Sequence, residues 1–396
     1  INLFYHPANK DVIEIGVYGS YFSECYMKKL INESKNKINK IIINECPNTN
    51  HIRINNQKRK NLKFKAKDRF DLFFINTLSS LFPKSHLEDY KLIESHIDNQ
   101  FSKYINLKAI INENWIGSTY SSMILSRLKQ RSIIHFSNEH NCLFHPYTGS
   151  FMDTIIGLCD FFLTIGWTPK SENKKVISVG SLFGFKTPLK EKKEIKILFS
   201  SGLLLSKKAI LTGAYGYIEE GVVSCIKFEK LFFSRLKSKL KRQIYYRGYP
   251  KKFIPPNIDI YDSEFIFKKE HELFKRVSTR ESFLDQLSKS EIHICNYLST
   301  TYLQSLASNV PTIIFIPDSF LLSKEYETFF HPLIKCKIAH TDPLECKKHL
   351  EDVYLNPSIW WESNLVKENK NQFLSANLKY EEEAIQFYLK LLNEFS

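Results

Sequence analysis

The sequence predicts an α/β protein made of two Rossmann-like halves. Three observations predict it. Short apolar runs rich in β-branched residues recur along the chain, with helical stretches between them. A hydrophilic stretch over 186–194 (KTPLKEKKE) interrupts that alternation near the middle. Its Pro188 and charge run mark a linker. Finally, Ser290–Ile316 reads as strand, polar turn, helix, loop, strand. Such a βαβ unit has parallel strands and a right-handed crossover.

In the first half, Val12–Tyr18, Ile41–Asn44, Leu72–Ile75, Ala109–Asn112, Ser132–Phe136, Phe161–Thr164 and Val176–Val179 are the expected strands. Helices are expected over Met27–Lys37, Ser121–Gln130 and Ser150–Leu158. The second half opens with strand Ile195–Ser200, which runs into the polar turn Ser200-Ser201-Gly202. Helix Cys225–Leu240, strand Gln243–Arg247 and the βαβ unit follow. Helix Leu344–Tyr354, the pair Trp360-Trp361 and an amphipathic helix near Tyr380–Phe395 close the chain. The expected domains are 1–187 and 193–375, with a final helix over 376–396 packing back on the first.

Composition narrows the function classes. The 396 residues suffice for two domains, and no apolar run reaches transmembrane length. The first residues, INLFYHP, lack a signal-peptide layout, so a cytoplasmic protein is expected. The eight cysteines show no C-x-x-C spacing, which suits buried thiols in a reducing compartment. No His/Cys set has zinc spacing, and no metal or cofactor is expected. The net charge of +14 is concentrated at 57–67, 190–196 and 230–247. It implies an anionic partner: a membrane leaflet, a phosphorylated substrate or nucleic acid. No nucleic-acid module accompanies the charge, so nucleic acid is not the expected partner.

In open α/β sheets ligands sit beyond the carboxyl ends of the strands, and five segments have that position. Ser299, Thr300 and Thr301 open the helix of the βαβ unit, where free N–H groups and the helix dipole suit a phosphate. Ser299 would also serve as a plain N-cap. Ser118 and Thr119 lie in the polar turn after Ala109–Asn112, and capping alone would also explain such residues. The segment Glu139–Gly149 sets a carboxylate, two imidazoles (His140, His145) and the Asn141 amide after Ser132–Phe136. That set suits proton transfer or sugar-hydroxyl binding. Glu219 and Glu220 end a glycine-bearing stretch, and either could attack or stabilise an anomeric carbon, or simply begin a solvated helix. Arg247 could grip a phosphate, with Tyr249-Pro250 set to stack on a base or ribose.

Two Rossmann-like halves facing a central cleft are the layout of GT-B glycosyltransferases and of some epimerases. Six motifs sharpen this: W-I-x-S-T-Y-S-S from Trp115, E-H-N…H-P-Y-x-G from Glu139, T-x-G-W at Thr164–Trp167, G-S-L at Gly180–Leu182, Y-R-x-Y-P from Tyr246, and N-Y-x-S-T-T-Y-L-x-S-L-A-x-N-x-P-T-I from Asn296. With these the chain resembles bacterial surface-polysaccharide transferases of GT-B fold, the O-antigen and capsule enzymes similar to CMP-Kdo-dependent transferases. The resemblance runs from about Trp115 to Trp361.

The resemblance implies a CMP-activated ulosonic acid, most simply Kdo, moved to a saccharide or lipid-linked acceptor in lipopolysaccharide or capsule assembly. It implies that Ser299, Thr300 and Thr301 hold the donor phosphate. It puts Tyr249-Pro250 where the family has His-Pro, and a nucleophilic carboxylate at Glu219 or Glu220. Ser200, Ser201, Gly202 and Arg247 complete the expected donor side, and Ser118, Thr119, Asn141 and His145 the acceptor side. Glu139 and His140 are the further catalytic candidates. The lipid-linked acceptor would account for the basic surface. The alternatives are a nucleotide-sugar epimerase of the same fold and a basic nucleic-acid-binding protein.

Overall fold

A computed structural model describes residues 10–19, 22–62, 65, 67–113, 119–139, 152–168, 173–201, 204–205, 219–248, 260–261, 268–296, 298, 300–316 and 324–395. The α/β class is as the sequence predicts, and the two-sheet organisation of a GT-B-like chain is present. There are two six-stranded parallel sheets.

The first sheet contains β1 (Ile15–Tyr18), β2 (Ile38–Lys40), β3 (Ala109–Glu113), β4 (Ile134–Asn138), β5 (Phe161–Thr164) and β6 (Val176–Ser178). Its order is β2-β1-β3-β4-β5-β6, with Ile15 level with both Ile38 and Ala109. This is a flavodoxin-like order, which reverses between β1 and β3.

The second sheet contains β7 (Ile195–Ser200), β9 (Ile244–Arg247), β11 (Lys275–Arg276), β12 (Ser290–Cys295), β13 (Thr312–Phe315) and β14 (Ala339–His340). A short antiparallel pair, β8 (Leu204–Leu205) with β10 (Ile260–Tyr261), stands apart from it. The order β11-β9-β7-β12-β13-β14 is the dinucleotide-fold order 3-2-1-4-5-6. Its direction of travel reverses between β7 and β12.

The chain divides into two compact units. One comprises Ile1–Asn138, Ile155–Phe162 and Ile385–Ser396; the other comprises Glu139–Thr154 and Leu163–Ala384. The core of the first is aliphatic, with Ile93, Ile97 and Phe101 of helix Tyr90–Phe101 packed with Ile110, Ile124 and Leu128. In the same unit Tyr388 packs on Phe22 and bonds Asn138 Oδ1 at 3.2 Å. The core of the second unit is aromatic. Phe199 lies edge-on to Phe233 at 5.0 Å, and Phe228 lies 4.7 Å from Phe315. Full burial of each such ring contributes about 1.5–3 kcal/mol, and these rings seat helix Glu219–Arg235 under β7 and β13.

Four expected elements are corrected. Leu72–Ile75 is not a strand but part of helix Arg69–Leu81. Asp68 caps that helix by accepting from the Asp71 amide at 2.8 Å. A run of four apolar residues satisfies either period, and the cap decided it. The second strand is Ile38–Lys40, and Ile41 and Ile43 enter the core just beyond its end. The helix expected to reach Lys37 stops at Glu33, because Lys35 and Asn36 turn left-handed at φ 54° and 64°. The helix expected over Cys225–Leu240 begins earlier, at Glu219, and ends at Arg235, before a short turn at Ser238–Lys241. Among the described residues no helix is long and apolar enough to cross a membrane.

Candidate functional site

The second sheet concentrates polar side chains at its switch point. Arg247, Ser200 and Cys295 end β9, β7 and β12 in one level row. Just beyond, the Ser201 amide donates to Arg247 O at 3.1 Å, and Asn296 Nδ2 donates to Ser201 Oγ at 3.1 Å. Asn296 Nδ2 also bonds Glu229 Oε1 of helix Glu219–Arg235. Helix Thr300–Ala307 begins four residues after Asn296, with Thr300 buried and Thr301 Oγ1 3.5 Å from Cys295 Sγ. Three strand ends and one helix start therefore share a single polar edge. The first-turn N–H groups of that helix and its dipole suit an anion.

Under that edge runs a buried chain of hydroxyls and imidazole. Ser305 Oγ donates to Thr301 O at 2.8 Å and lies 2.6 Å from His293 Nδ1. Its proton being spent on Thr301, Ser305 accepts from Nδ1–H. His293 Nε2, 2.7 Å from Ser200 Oγ, must then accept the Ser200 proton. Burial pushes the His293 pKa down to about 3, so the imidazole is neutral and this tautomer is fixed.

Arg247 faces protein groups at this edge. Its Nη1 lies within hydrogen-bond range of Gln286 Oε1 at 2.6 Å, Glu281 O at 3.1 Å and Ser278 O at 3.2 Å. The guanidinium thus ties β9 to the start of helix Phe283–Ser288.

Glu139 is buried just after β4. Its Oε2 accepts from Trp167 Nε1 at 2.7 Å and from the Ile165 amide at 3.1 Å, and its own amide donates to Leu163 O at 2.8 Å. The Thr164–Trp167 turn it holds is also bound by Thr164 Oγ1 donating to Trp167 O at 2.5 Å. Gly166, at φ 150°, lets the backbone of Leu378–Lys379 approach: a Cβ there would meet Lys379 N at 2.5 Å. Lys379 N donates to Ile165 O, and Glu381 accepts from the Phe185 amide at 2.8 Å. The T-x-G-W motif is therefore a seat for the 378–381 segment.

The structure places the remaining expected residues as follows. Thr119 begins helix Thr119–Gln130 after β3, and its Oγ1 accepts from Ser85 Oγ at 3.1 Å. Glu219 and Glu220 are the first two residues of helix Glu219–Arg235. Ser118, His140, Asn141, His145, Gly202, Tyr249, Pro250 and Ser299 lie outside the described residues. Ser200, Ser201, Arg247, Thr300 and Thr301 come together at the second sheet's edge. The expected list missed Asn296, Glu229, His293 and Gln286 there. A signal existed: His293 interrupts the apolar strand E-I-H-I-C, and Glu229 falls between Phe228 and Phe232 on the core-facing side of its helix. Among the described residues no group of three or more His, Cys, Asp or Glu is placed to hold a metal ion.

Solved structures resembling this chain include a UDP-GlcNAc 2-epimerase from Neisseria meningitidis bound to UDP-GlcNAc, at 12% identity and TM-score 0.45, covering 96% of this chain and 99% of that one. MurG from Acinetobacter baumannii shares 9% identity at TM-score 0.46, over 96% and 99%. A UDP-glucosyltransferase from Polygonum tinctorium shares 9% at 0.45, over 96% and 98%. No curated protein matches the chain in sequence. The sequence does match the LIC12162 family transferase model over residues 2–392, and the chain belongs to that transferase family.

Proposed function

We propose that this transferase is a glycosyltransferase that moves a ulosonic acid, Kdo in the simplest case, from a CMP-activated donor to a saccharide acceptor in lipopolysaccharide or capsule assembly. One observation carries the reading of a nucleotide-bound donor: the 3-2-1-4-5-6 strand order with polar groups gathered at its switch point. Open α/β sheets of this order bind nucleotides there. The choice of CMP and of a ulosonic acid rests on the resemblance of Asn296–Ile313 and the other motifs to surface-polysaccharide transferases.

In this reading the donor phosphate meets the start of helix Thr300–Ala307, with Ser299, Thr300 and Thr301 as its hydroxyl donors. Ser200, Ser201 and Gly202 flank it, and Tyr249-Pro250 takes the base or ribose. Arg247 acts through Gln286 and the 278–281 backbone, holding the strand end in place. One of Glu219 and Glu220 attacks the anomeric carbon, and the carbon–oxygen bond to the phosphate breaks as CMP leaves. The acceptor hydroxyl then displaces that carboxylate and loses its proton to a base such as His140. Ser118, Thr119, Asn141 and His145 are the acceptor-side contacts. CMP is a good leaving group, so positioning and charge stabilisation outweigh acid catalysis. No metal enters this scheme. The work would be done in the cytoplasm, at the inner membrane face where lipid-linked acceptors are met.

A thermal-shift panel of CMP, UDP, GDP and ADP tests the donor, because a ligand that binds only the folded state raises its melting temperature. CMP alone should give a clear rise. A larger rise with UDP would replace CMP in this reading, and no rise with any nucleotide would remove the donor site.

A further inference from the structure

We infer that helix Arg69–Leu81 is an interfacial anchor that docks on an anionic lipid bilayer. Among the described residues 17 large apolar side chains are exposed, and five of them belong to this 13-residue helix. Phe70 is 72% exposed, Phe73 69%, Phe74 55% and Leu81 72%. At 100° per residue these four lie within one face, together with Thr77. The Thr77 hydroxyl donates to Phe73 O at 2.9 Å, so the polar atom on that face is satisfied within the helix. A face of three phenylalanines and a leucine in water is costly, and a contiguous patch of this kind marks a binding surface.

Charge identifies the occupant. The segment leading into the helix, 57–67 (QKRKNLKFKAK), contains six basic residues and no acidic one. Lys60, Lys65, Lys67 and Arg69 are exposed. Arg59 is turned inward instead, with Nε and Nη2 on the Glu88 carboxylate at 2.8 and 3.0 Å and Nη1 on Ser80 O at 3.0 Å. That clamp fixes the basic turn Asn56–Lys60 against the C-terminal end of the apolar helix. Cations beside an apolar helix face are the recognition chemistry of a bilayer with anionic headgroups: the rings enter the acyl boundary and the lysines meet the phosphates. Asp68 and Asp71 also stand at the helix start, where they cap it by accepting the Asp71 and Lys67 amides, and the basic residues outnumber them around the patch.

This inference deepens the proposed function by putting the transferase where a lipid-linked acceptor is found. It rests on that reading only for the acceptor. Vesicle binding needs no donor, so its failure and the failure of the CMP reading are separable.

The test is co-sedimentation of the intact chain with phosphatidylcholine vesicles made with and without phosphatidylglycerol. Binding should require phosphatidylglycerol and weaken as salt is added. Phe73→Ser combined with Phe74→Ser should reduce partitioning at least about tenfold. Lys60→Gln, Lys65→Gln and Lys67→Gln together should remove the preference for anionic vesicles. Leu231→Ser, on an exposed site of another helix, should change neither. Circular dichroism melts check that each variant is folded, and Phe70→Ser alone replaces the double variant if it is not. The inference is overturned if the parent protein stays in the supernatant, or if folded Phe variants bind as the parent does. It is equally overturned if the Phe variants instead convert a dimer to a monomer without affecting vesicle binding.

Discussion

Glu139 and Trp167 are joined by a 2.7 Å hydrogen bond from the indole Nε1 to the carboxylate Oε2, which also accepts the Ile165 amide. Both donors are buried, so the carboxylate holds a turn together before it does any chemistry. Glu139→Ala removes the carboxylate acceptor of two buried N–H groups and should cost about 3 kcal/mol. Glu139→Gln keeps an acceptor oxygen in place. It should melt within a few degrees of the parent and retain turnover within about tenfold. A folded Glu139→Gln with turnover reduced a hundredfold or more would restore the proton-transfer role that the sequence alone suggests.

The βαβ unit at Ser290–Ile316 was legible because its apolar strand runs and polar turn repeat a pattern that local chemistry alone dictates. The same reasoning misread Leu72–Ile75, where a capping aspartate and helical spacing outweigh β-prone composition. The E-H-N and T-x-G-W motifs were visible as segments, but not as partners. Nothing in the sequence says that Glu139 bonds Trp167, or that Gly166 is needed for the approach of Leu378–Lys379. The strand-end position of Arg247 suggests a phosphate ligand. Its bond to Gln286, 39 residues away, is a long-range fact that no local pattern carries. The exposed face of Phe70, Phe73 and Phe74 was hidden for a related reason: an apolar run is taken as core until burial is known.

The Ser201–Asn296 pair bridges the ends of β7 and β12. If CMP binds at that switch point, Ser201→Ala and Thr301→Val should each weaken CMP about tenfold, the loss of one hydrogen bond to a charged group. Calorimetric titration of CMP reads this directly. Parent-like affinity in both folded variants would move the nucleotide away from this edge.

Among the described residues four histidines are buried, and they steepen the acid limb of stability. Burial lowers the pKa of His293 and His340 to about 3 and of His135 and His349 to about 4, from 6.5. Above pH 6.5 both folded and unfolded forms are neutral at these sites, and the histidines add no pH dependence. Below it the unfolded chain binds protons that the folded one refuses, so stability falls as pH drops, until the folded pKa values are reached. The melting temperature should therefore decline between pH 6.5 and about 4, as the unfolding free energy falls by about 1.4 kcal/mol per pH unit for each fully differing imidazole. His349 packs edge-on to Trp360 at 4.6 Å, and its Nε2 has no hydrogen-bond partner among the described residues. His349→Phe should keep that ring contact, melt near the parent at pH 7.5 and flatten its share of the acid slope. An unchanged slope would assign the acid limb to other groups.

Glu219 and Glu220 open the helix whose Glu229, about 15 Å further along its axis, bonds Asn296. If the reaction passes through a glycosyl-enzyme ester, one of Glu219→Gln and Glu220→Gln should abolish transfer while leaving CMP affinity within about twofold, because the phosphate contacts belong to other residues. Intact-protein mass spectrometry of the parent with donor and no acceptor should then show a single sugar-sized adduct. The adduct should be absent from the inactive variant and present in the other. Full activity in both folded variants would exclude the pair, and with it a double displacement on this helix start. Retention of configuration would then need a different nucleophile, and inversion would need only a base for the acceptor hydroxyl.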